Sequence, residues 1–428
     1  MKIILAVLIF SLIILFHELG HFLLAKKNGI TVTEFSLGMG PRLFSVEKGG
    51  TRYSLKVFPL GGSCAMLGED TEEEELPGSF NSASVFGRIA VVAAGPIFNF
   101  ILAFVLATVI VGVVGYNPAL VLSVEEESPA GKAGLREGDT ITEFNGCTID
   151  LGKDLYVYIY MNGLNEEPVT LKYRRDGKEY EISYVPDADR RYLLGFNRTD
   201  ANSLQVESLI PGMPLEQAGV QKGDVLTGIN GVELSDGEAY ERYIQEHPLD
   251  GTPVEIVYRR DGLEYEAVII PEEYRTPKMG FSYNIGNVKT KGLPVLKYGA
   301  LEVKYMIRTT IISLKELFIG NLAVSDLSGP VGVVDAIGDA YEQSKEEGTL
   351  IVWMNMLNMA VMLSANLGIM NLLPFPALDG GRLVFLLIEA VRRKPANRKI
   401  EGMVHFAGFM LLMALMVFVM YQDVRKLL

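Results

Sequence analysis

Histidine is scarce in this chain, with four among 428 residues, and it is joined by one tryptophan and only two cysteines. Two cysteines exclude a disulfide-stapled scaffold. Cys64 and Cys147 also fall in segments expected on opposite sides of a membrane, so no internal bridge is expected and the pair gives no reading of redox compartment. Four histidines leave no His-rich loop of the kind a zinc transporter would carry. Basic charge is deficient as well, since 39 Lys and Arg stand against 52 Asp and Glu, for a formal net charge of −13. Nucleic acid is therefore excluded as a partner, because phosphate binding needs a basic surface. A charged fraction of 21% is too high for a chain lying wholly in lipid, while the hydrophobic fraction is 49%. A membrane protein with sizeable water-exposed parts follows.

Four apolar stretches approach the roughly 20 helical residues needed to cross about 30 Å of hydrocarbon. They lie near residues 3–25, 89–115, 350–373 and 403–421. A cleaved signal peptide is the competing reading of the first, but no small-residue cleavage site follows it, and the helical pattern runs on through His17-Glu18-Leu19-Gly20-His21 into Lys26-Lys27. Lys and Arg collect on the cytoplasmic side of membrane proteins. Segment 26–88 carries Lys26, Lys27, Arg42, Lys48, Arg52, Lys56 and Arg88, and the loop between the last two spans is also basic, from Arg382 to Lys399. Both are expected in the cytoplasm, and both termini and the stretch 116–349 outside. The acidic run Glu69 to Glu75 scarcely counts in this rule.

Segment 116–349 contains a tandem repeat. An offset of 85 residues superimposes Ala133-Gly134 on Ala218-Gly219, Gly138-Asp139 on Gly223-Asp224, Asn145-Gly146 on Asn230-Gly231, and Tyr173-Arg174-Arg175-Asp176-Gly177 on Tyr258-Arg259-Arg260-Asp261-Gly262. One offset shared by separated motifs is a duplication. The Asn-Gly and Asp-Gly pairs predict tight hairpin turns between short strands.

His17-Glu18-x-x-His21 carries the chemistry. Residues four apart lie on one helix face, so both imidazoles can reach one zinc ion while Glu18 stands beside it to accept a proton. With four histidines, chance would give this pattern on the order of a few times in a thousand such chains. Imidazole and charge inside a membrane helix are costly and mark function more often than a satisfied polar core. A catalytic zinc site wants three protein ligands and an open position. Asp379 is the natural third, standing in Asn371-Leu372-Leu373-Pro374-Phe375-Pro376-Ala377-Leu378-Asp379-Gly380-Gly381, where two prolines break the helix at the end of the third span.

The His17-Glu18-x-x-His21 motif and the stretch Asn371-x-x-Pro374-x-Pro376-x-Leu378-Asp379-Gly380 together resemble the paired signature of the site-2 protease family. Gly95-Pro96-Ile97-Phe98-Asn99 is similar to that family's Gly-rich motif. Each repeat resembles a bacterial PDZ domain through Ala-Gly-x-x-x-Gly-Asp and Asn-Gly, and a tandem pair between spans two and three points to the RseP-like bacterial branch. The resemblance implies that His17, His21 and Asp379 hold Zn²⁺, that Glu18 is the acid/base residue, and that Asn371 bonds the substrate or the developing oxyanion. Gly95 and Asn99 read as helix packing, and Pro374, Pro376 and Gly380 as support for the motif. It also implies a membrane-inserted hairpin from Phe35-Ser36-Leu37-Gly38 and Tyr53-Ser54-Leu55-Lys56-Val57, with an edge that takes an unwound substrate. After Pro59-Leu60-Gly61-Gly62 the family commonly has an aromatic residue; here Ser63-Cys64-Ala65 follows, so local substrate contacts should differ.

The expected fold is an α-helical multipass membrane protein of about four spans with two inserted α+β PDZ-like domains and a small membrane-associated β region. Its parts are 1–116 (first half of the membrane core), 119–200 and 201–285 (PDZ-like domains), 286–349 (an amphipathic connector, interfacial or packed) and 350–428 (second half of the core). The expected activity is intramembrane zinc proteolysis of single-span membrane proteins, for example anti-sigma factors or signal-peptide remnants. The PDZ-like pair would take peptide or protein C-termini, or filter by size. A peptide-binding scaffold with an inactive metal site is the competing class, but such a site needs no Glu18. Leu327-Ser328-Gly329-Pro330-Val331-Gly332 reads only as a turn, His247 as a loop residue, and His405 as a core histidine.

Overall fold

The computed structural model describes residues 2–69, 76–284, 286–323, 327–394 and 397–427; most of the acidic run that ends at Glu75 lies outside them. They form two compact units, Met1–Pro118 with Ile285–Leu428, and Ala119–Asn284.

The first unit opens with helix α1 (Lys2–Lys27), strands β1 (Val32–Lys48) and β2 (Thr51–Met66), and helix α2 (Val85–Val114). The α1 run is largely apolar from Ile3 to Phe16, and in its last turn Lys26 and Lys27 suit the negative end of the helix dipole. Ser84 caps α2 by accepting the N–H of Gly87. Glycine sets the crossing of the two helices, because a Cβ on Gly20 would lie 2.3 Å from the Ala94 carbonyl oxygen.

The β region is larger than the predicted hairpin. Both strands bend, so that residues 34–37 lie beside 52–55 on one side and beside 62–65 on the other. Segments 35–38 and 53–57, expected to form the substrate-holding edge, are thus inner neighbours for most of their length, and 62–66 is the edge next to α1. There a Cβ on Gly62 would come within 3.0 Å of Glu18 Cγ. The serines at 36 and 63 share a 2.8 Å hydrogen bond between their hydroxyls, fastening this edge.

The second unit contains the duplication. Its first copy comprises β3 (Val121–Val124), α3 (Pro129–Lys132), β4 (Thr140–Phe144), β5 (Cys147–Thr148), α4 (Gly152–Asn162), β6 (Val169–Arg175), β7 (Lys178–Tyr184), β8 (Asp187–Leu193) and β9 (Phe196–Arg198). The second repeats it as β10 (Val206–Leu209), α5 (Pro214–Gln217), β11 (Val225–Ile229), β12 (Val232–Glu233), α6 (Gly237–Glu246), β13 (Val254–Arg260), β14 (Leu263–Ile269), β15 (Glu272–Lys278) and β16 (Phe281–Tyr283). The predicted turns form, with positive φ at Asn145, Asp176, Asn230 and Asp261 and at the glycine after each. Arg175 grips Asp139 through two bonds of 2.7 and 2.6 Å, and Arg260 grips Asp224 in the same way. The Arg260 guanidinium holds the Asp224 carboxyl below its ordinary range.

Between the copies the strands are exchanged. β9, at the end of the first copy, pairs with β10 of the second, while β16, at the end of the second, pairs with β3 of the first. β8 and β15 pair with each other, Arg190 facing Arg275. The division at 200/201 therefore follows the sequence repeat, whereas the strand pairing crosses it.

The chain returns to the first unit with α7 (Leu293–Ile319), α8 (Pro330–Ser344), α9 (Thr349–Leu372), α10 (Asp379–Arg392) and α11 (Arg398–Leu427). Among the described residues four helices are long and apolar enough to cross a membrane: Lys2–Lys27, Val85–Val114, Thr349–Leu372 and Arg398–Lys426. Each matches a predicted span to within a few residues. The helix α7 packs rather than lying free at an interface, since Val303 and Met306 are buried against Ala103, Ala107, Val361 and Ala365 of α2 and α9.

The Gly329-Pro330-Val331-Gly332 stretch is the start of α8, with proline in its first turn. Buried Asp423 of α11 accepts the N–H groups of Gly329 (3.2 Å) and Gly332 (2.8 Å). A distant carboxylate thus serves as the helix cap. Asp423→Ala is expected to destabilise the unit by about 1–3 kcal/mol and to speed deuterium exchange at the Gly332 amide, with Asp423→Asn falling between. Unchanged exchange in the alanine variant would remove the cap from the account.

Candidate metal centre

His17, Glu18 and His21 sit two-thirds of the way along α1, and the imidazoles share a face as their spacing requires. Asp379 arrives from the far end of the chain as the first residue of α10, after the loop that Pro374 and Pro376 keep out of helix. Gly380 and Gly381 let that loop fold back on the helix start. A Cβ on the first would lie 2.1 Å from the Leu373 carbonyl oxygen, and on the second 2.3 Å from that of Phe375.

Three ligand atoms meet. His17 Nε2 is 3.2 Å from His21 Nε2 and 3.2 Å from Asp379 Oδ2, and His21 Nε2 is 3.5 Å from the same oxygen. Zinc bonds of ~2.0–2.1 Å at tetrahedral angles put neighbouring ligand atoms about 3.3 Å apart. The triangle therefore fits one face of a zinc tetrahedron. The donor types fit as well, being two imidazole nitrogens and a carboxylate oxygen that is buried with no hydrogen-bond donor.

The second nitrogen of each ring is engaged by α2. Nδ1 of His21 lies 2.9 Å from the Val91 carbonyl oxygen, to which its N–H donates, leaving Nε2 free to bind a cation. Pro96 of the same helix cannot donate to the carbonyl four residues before it, so the ladder is already interrupted one residue on from Val91. The Asn99 amide is 3.1 Å from His17 Nδ1, and its Oδ1 has no partner. Turning the amide by half a revolution gives Nδ1–H an acceptor and points the Nε2 lone pair inward. Asn99 is held from the other side, where the Ser364 hydroxyl donates to its backbone carbonyl oxygen at 2.8 Å.

Gly95 and Asn99 thus do more than the helix packing read from sequence, since both touch the imidazoles. A Cβ on Gly95 would fall 2.3 Å from His21 Nε2. The Glu18 carboxylate stands beside both imidazoles and Asp379 and faces the backbone N–H of Cys64 on the edge strand. Asn371 stands in the last turn of α9, just before the loop that leads to Asp379. The remaining histidines lie elsewhere. His247 is exposed and stacks on Tyr243, and His405 bonds the backbone of Ala377. Sequence reading missed the Val91 carbonyl, the Cys64 amide and Gly62; only the glycine pair at 61–62 signals a close approach.

A bundle of apolar helices around two buried histidines and a half-buried aspartate defines a membrane metallopeptidase, and comparison with known proteins places it more closely. The sequence pattern of peptidase family M50 matches residues 5–415, and the chain belongs to that family, the site-2 proteases. The zinc metalloprotease RasP of Geobacillus kaustophilus is 32% identical over 98% of this chain and 97% of its own. The Bacillus subtilis regulator of sigma-W protease RasP is 29% identical, again covering 98% and 97%. A part amounting to 21% of the chain covers 92% of the HtrA3 PDZ domain in complex with a phage-derived ligand, at 20% identity and a TM-score of 0.18.

Proposed function

We propose that this protein hydrolyses peptide bonds within or beside the transmembrane segments of single-span membrane proteins, with His17, His21 and Asp379 holding Zn²⁺ and Glu18 as general base. The observation that carries the reading is the triangle of 3.2, 3.2 and 3.5 Å with a carboxylate beside it on an apolar helix. When bound, zinc lowers the pKa of a water and polarises the scissile carbonyl. Glu18 takes the proton of the attacking water and later delivers it to the leaving nitrogen. Asn371, at the end of α9, bonds the substrate or its developing oxyanion.

A transmembrane substrate hides its carbonyls in its own helix, so it must be unwound before attack. The edge at residues 62–66, paired on one side with 32–37, supports capture of that segment as an added strand. Ser63 in place of the family's aromatic leaves smaller contacts there. The basic segments 26–88 and 382–399 support a metal site towards the cytoplasm and a PDZ-like pair outside the cytoplasmic membrane of a bacterium. In that pair β9 and β16 have each one strand neighbour among the described residues, which suits peptide or C-terminal addition. Substrates of the anti-sigma or signal-peptide-remnant type, trimmed outside first, fit this arrangement.

The test is metal removal. Protein purified in detergent is expected to carry zinc in equal number with the chain, to lose at least about 100-fold in cleavage of a model transmembrane substrate when a chelator strips it, and to recover on zinc addition. Cleavage that survives full removal of zinc would end the proposal.

A further inference from the structure

We infer that His405, in the last membrane-spanning helix, is a positioning residue that holds the turn delivering Asp379 to the metal centre. The inference rests on the reading of that centre given above. It starts from an accounting of backbone donors in the loop between α9 and α10. Pro374 and Pro376 have no N–H to give. Phe375 donates to the Leu373 carbonyl at 2.7 Å and Leu378 to that of Phe375 at 3.2 Å, both inside the loop. The Ala377 N–H leaves the loop instead and donates to His405 Nδ1 at 3.0 Å. An amide half-buried against a neighbouring helix is satisfied by such an acceptor.

Ala377 also carries the conformational strain of the turn. Its φ is +78°, a region that side chains with a Cβ adopt at a cost. Two residues later comes Asp379, so a relaxation at 377 would swing the carboxylate away from the imidazoles. The face of α11 that meets the loop is shaped for it. One turn after His405, a Cβ on Gly408 would lie 2.5 Å from both Cβ and the carbonyl oxygen of Pro376, and the His405 ring lies 5.7 Å from that of Phe385 on α10. His405 thus touches the strained turn and the helix that Asp379 begins, while remaining outside the ligand cluster.

Two substitutions in the full-length protein separate holding from packing. His405→Phe keeps an aromatic ring against Phe385 and removes the acceptor; His405→Asn gives up the ring and keeps an oxygen that can accept. Zinc retention is titrated against a chelator, and cleavage kinetics are measured beside it. The Phe variant is expected to hold zinc about 10–100-fold less tightly, with kcat reduced and KM little changed, and the Asn variant to stay within about threefold of the parent. Adding Ala377→Gly to His405→Phe eases the positive φ and should recover most of the lost affinity. A Phe variant that binds zinc like the parent overturns the inference, as does a larger loss in the Asn variant or a loss that glycine at 377 leaves untouched. A parent protein that binds no zinc would instead sink the metal-centre reading, so the two failures are distinguishable.

Discussion

Glu18→Gln is expected to lower cleavage of a transmembrane substrate by about 10²–10⁴-fold, the range a general base supplies, while zinc content and KM stay near the parent values. Glutamine keeps the size of the side chain and an oxygen that can still accept the Cys64 N–H. What it loses is the ability to take a proton from water. Glu18 lies outside the triangle of ligand atoms, so the change should leave Nε2 of both histidines and Oδ2 of Asp379 where they are. Metal analysis alongside turnover reads the two roles apart. Zinc lost together with activity would make Glu18 a structural part of the site. Cleavage within tenfold of the parent would place the base on another residue.

That Glu18, His17 and His21 share a face was legible from sequence because helical periodicity is local, and it survives whatever the rest of the chain does. Asp379 was legible for a different reason, in that a carboxylate at the border of hydrocarbon after two helix-breaking prolines has few bland explanations. The contacts that orient these ligands were not legible. Asn99 to His17, Val91 to His21 and Asp423 to Gly332 each join two helices, and His405 joins α11 to the loop at Ala377; a single sequence carries no signal for which polar groups meet across a bundle. Gly329-Pro330-Val331-Gly332 looked like a turn because its partner, Asp423, is on another helix.

The duplication shows the same limit in another form. An offset of 85 residues reveals two copies of every strand, but it is equally compatible with β9 pairing inside its own copy or with the other. Only the three-dimensional pairing distinguishes them, with β9 on β10 and β16 on β3. The β region after α1 was read as short strands for a related reason. Alternation in 35–38 and 53–57 marks strands, but it does not say that the chain bends and adds a further edge at 62–66 next to Glu18.

Gly95→Ala should break the metal centre with a single methyl. The added Cβ would lie 2.3 Å from His21 Nε2, 2.6 Å from its Cε1 and 2.7 Å from His17 Cε1, all far inside the ~3.5 Å at which carbon contacts become favourable. Helix α2 has no room to retreat. One residue earlier its Ala94 carbonyl rests against Gly20 of α1, and one residue later the Pro96 carbonyl lies 3.2 Å from where Gly368 of α9 would carry a Cβ. Neither ring turns freely, since both are tied through Nδ1 to Val91 and Asn99 of the same helix. The methyl must therefore rotate an imidazole or part the helices, and either breaks the ligand triangle. Zinc affinity and cleavage should fall together by at least about 100-fold. Gly112→Ala is the control, in the same helix, because its Cβ would meet only Val295 Cγ1 at 3.7 Å, and it should behave like the parent. A Gly95→Ala protein that retains zinc as tightly as the control would mean that the imidazoles do not lie against α2, and the orientation assigned to both ligands through Val91 and Asn99 would fall with it.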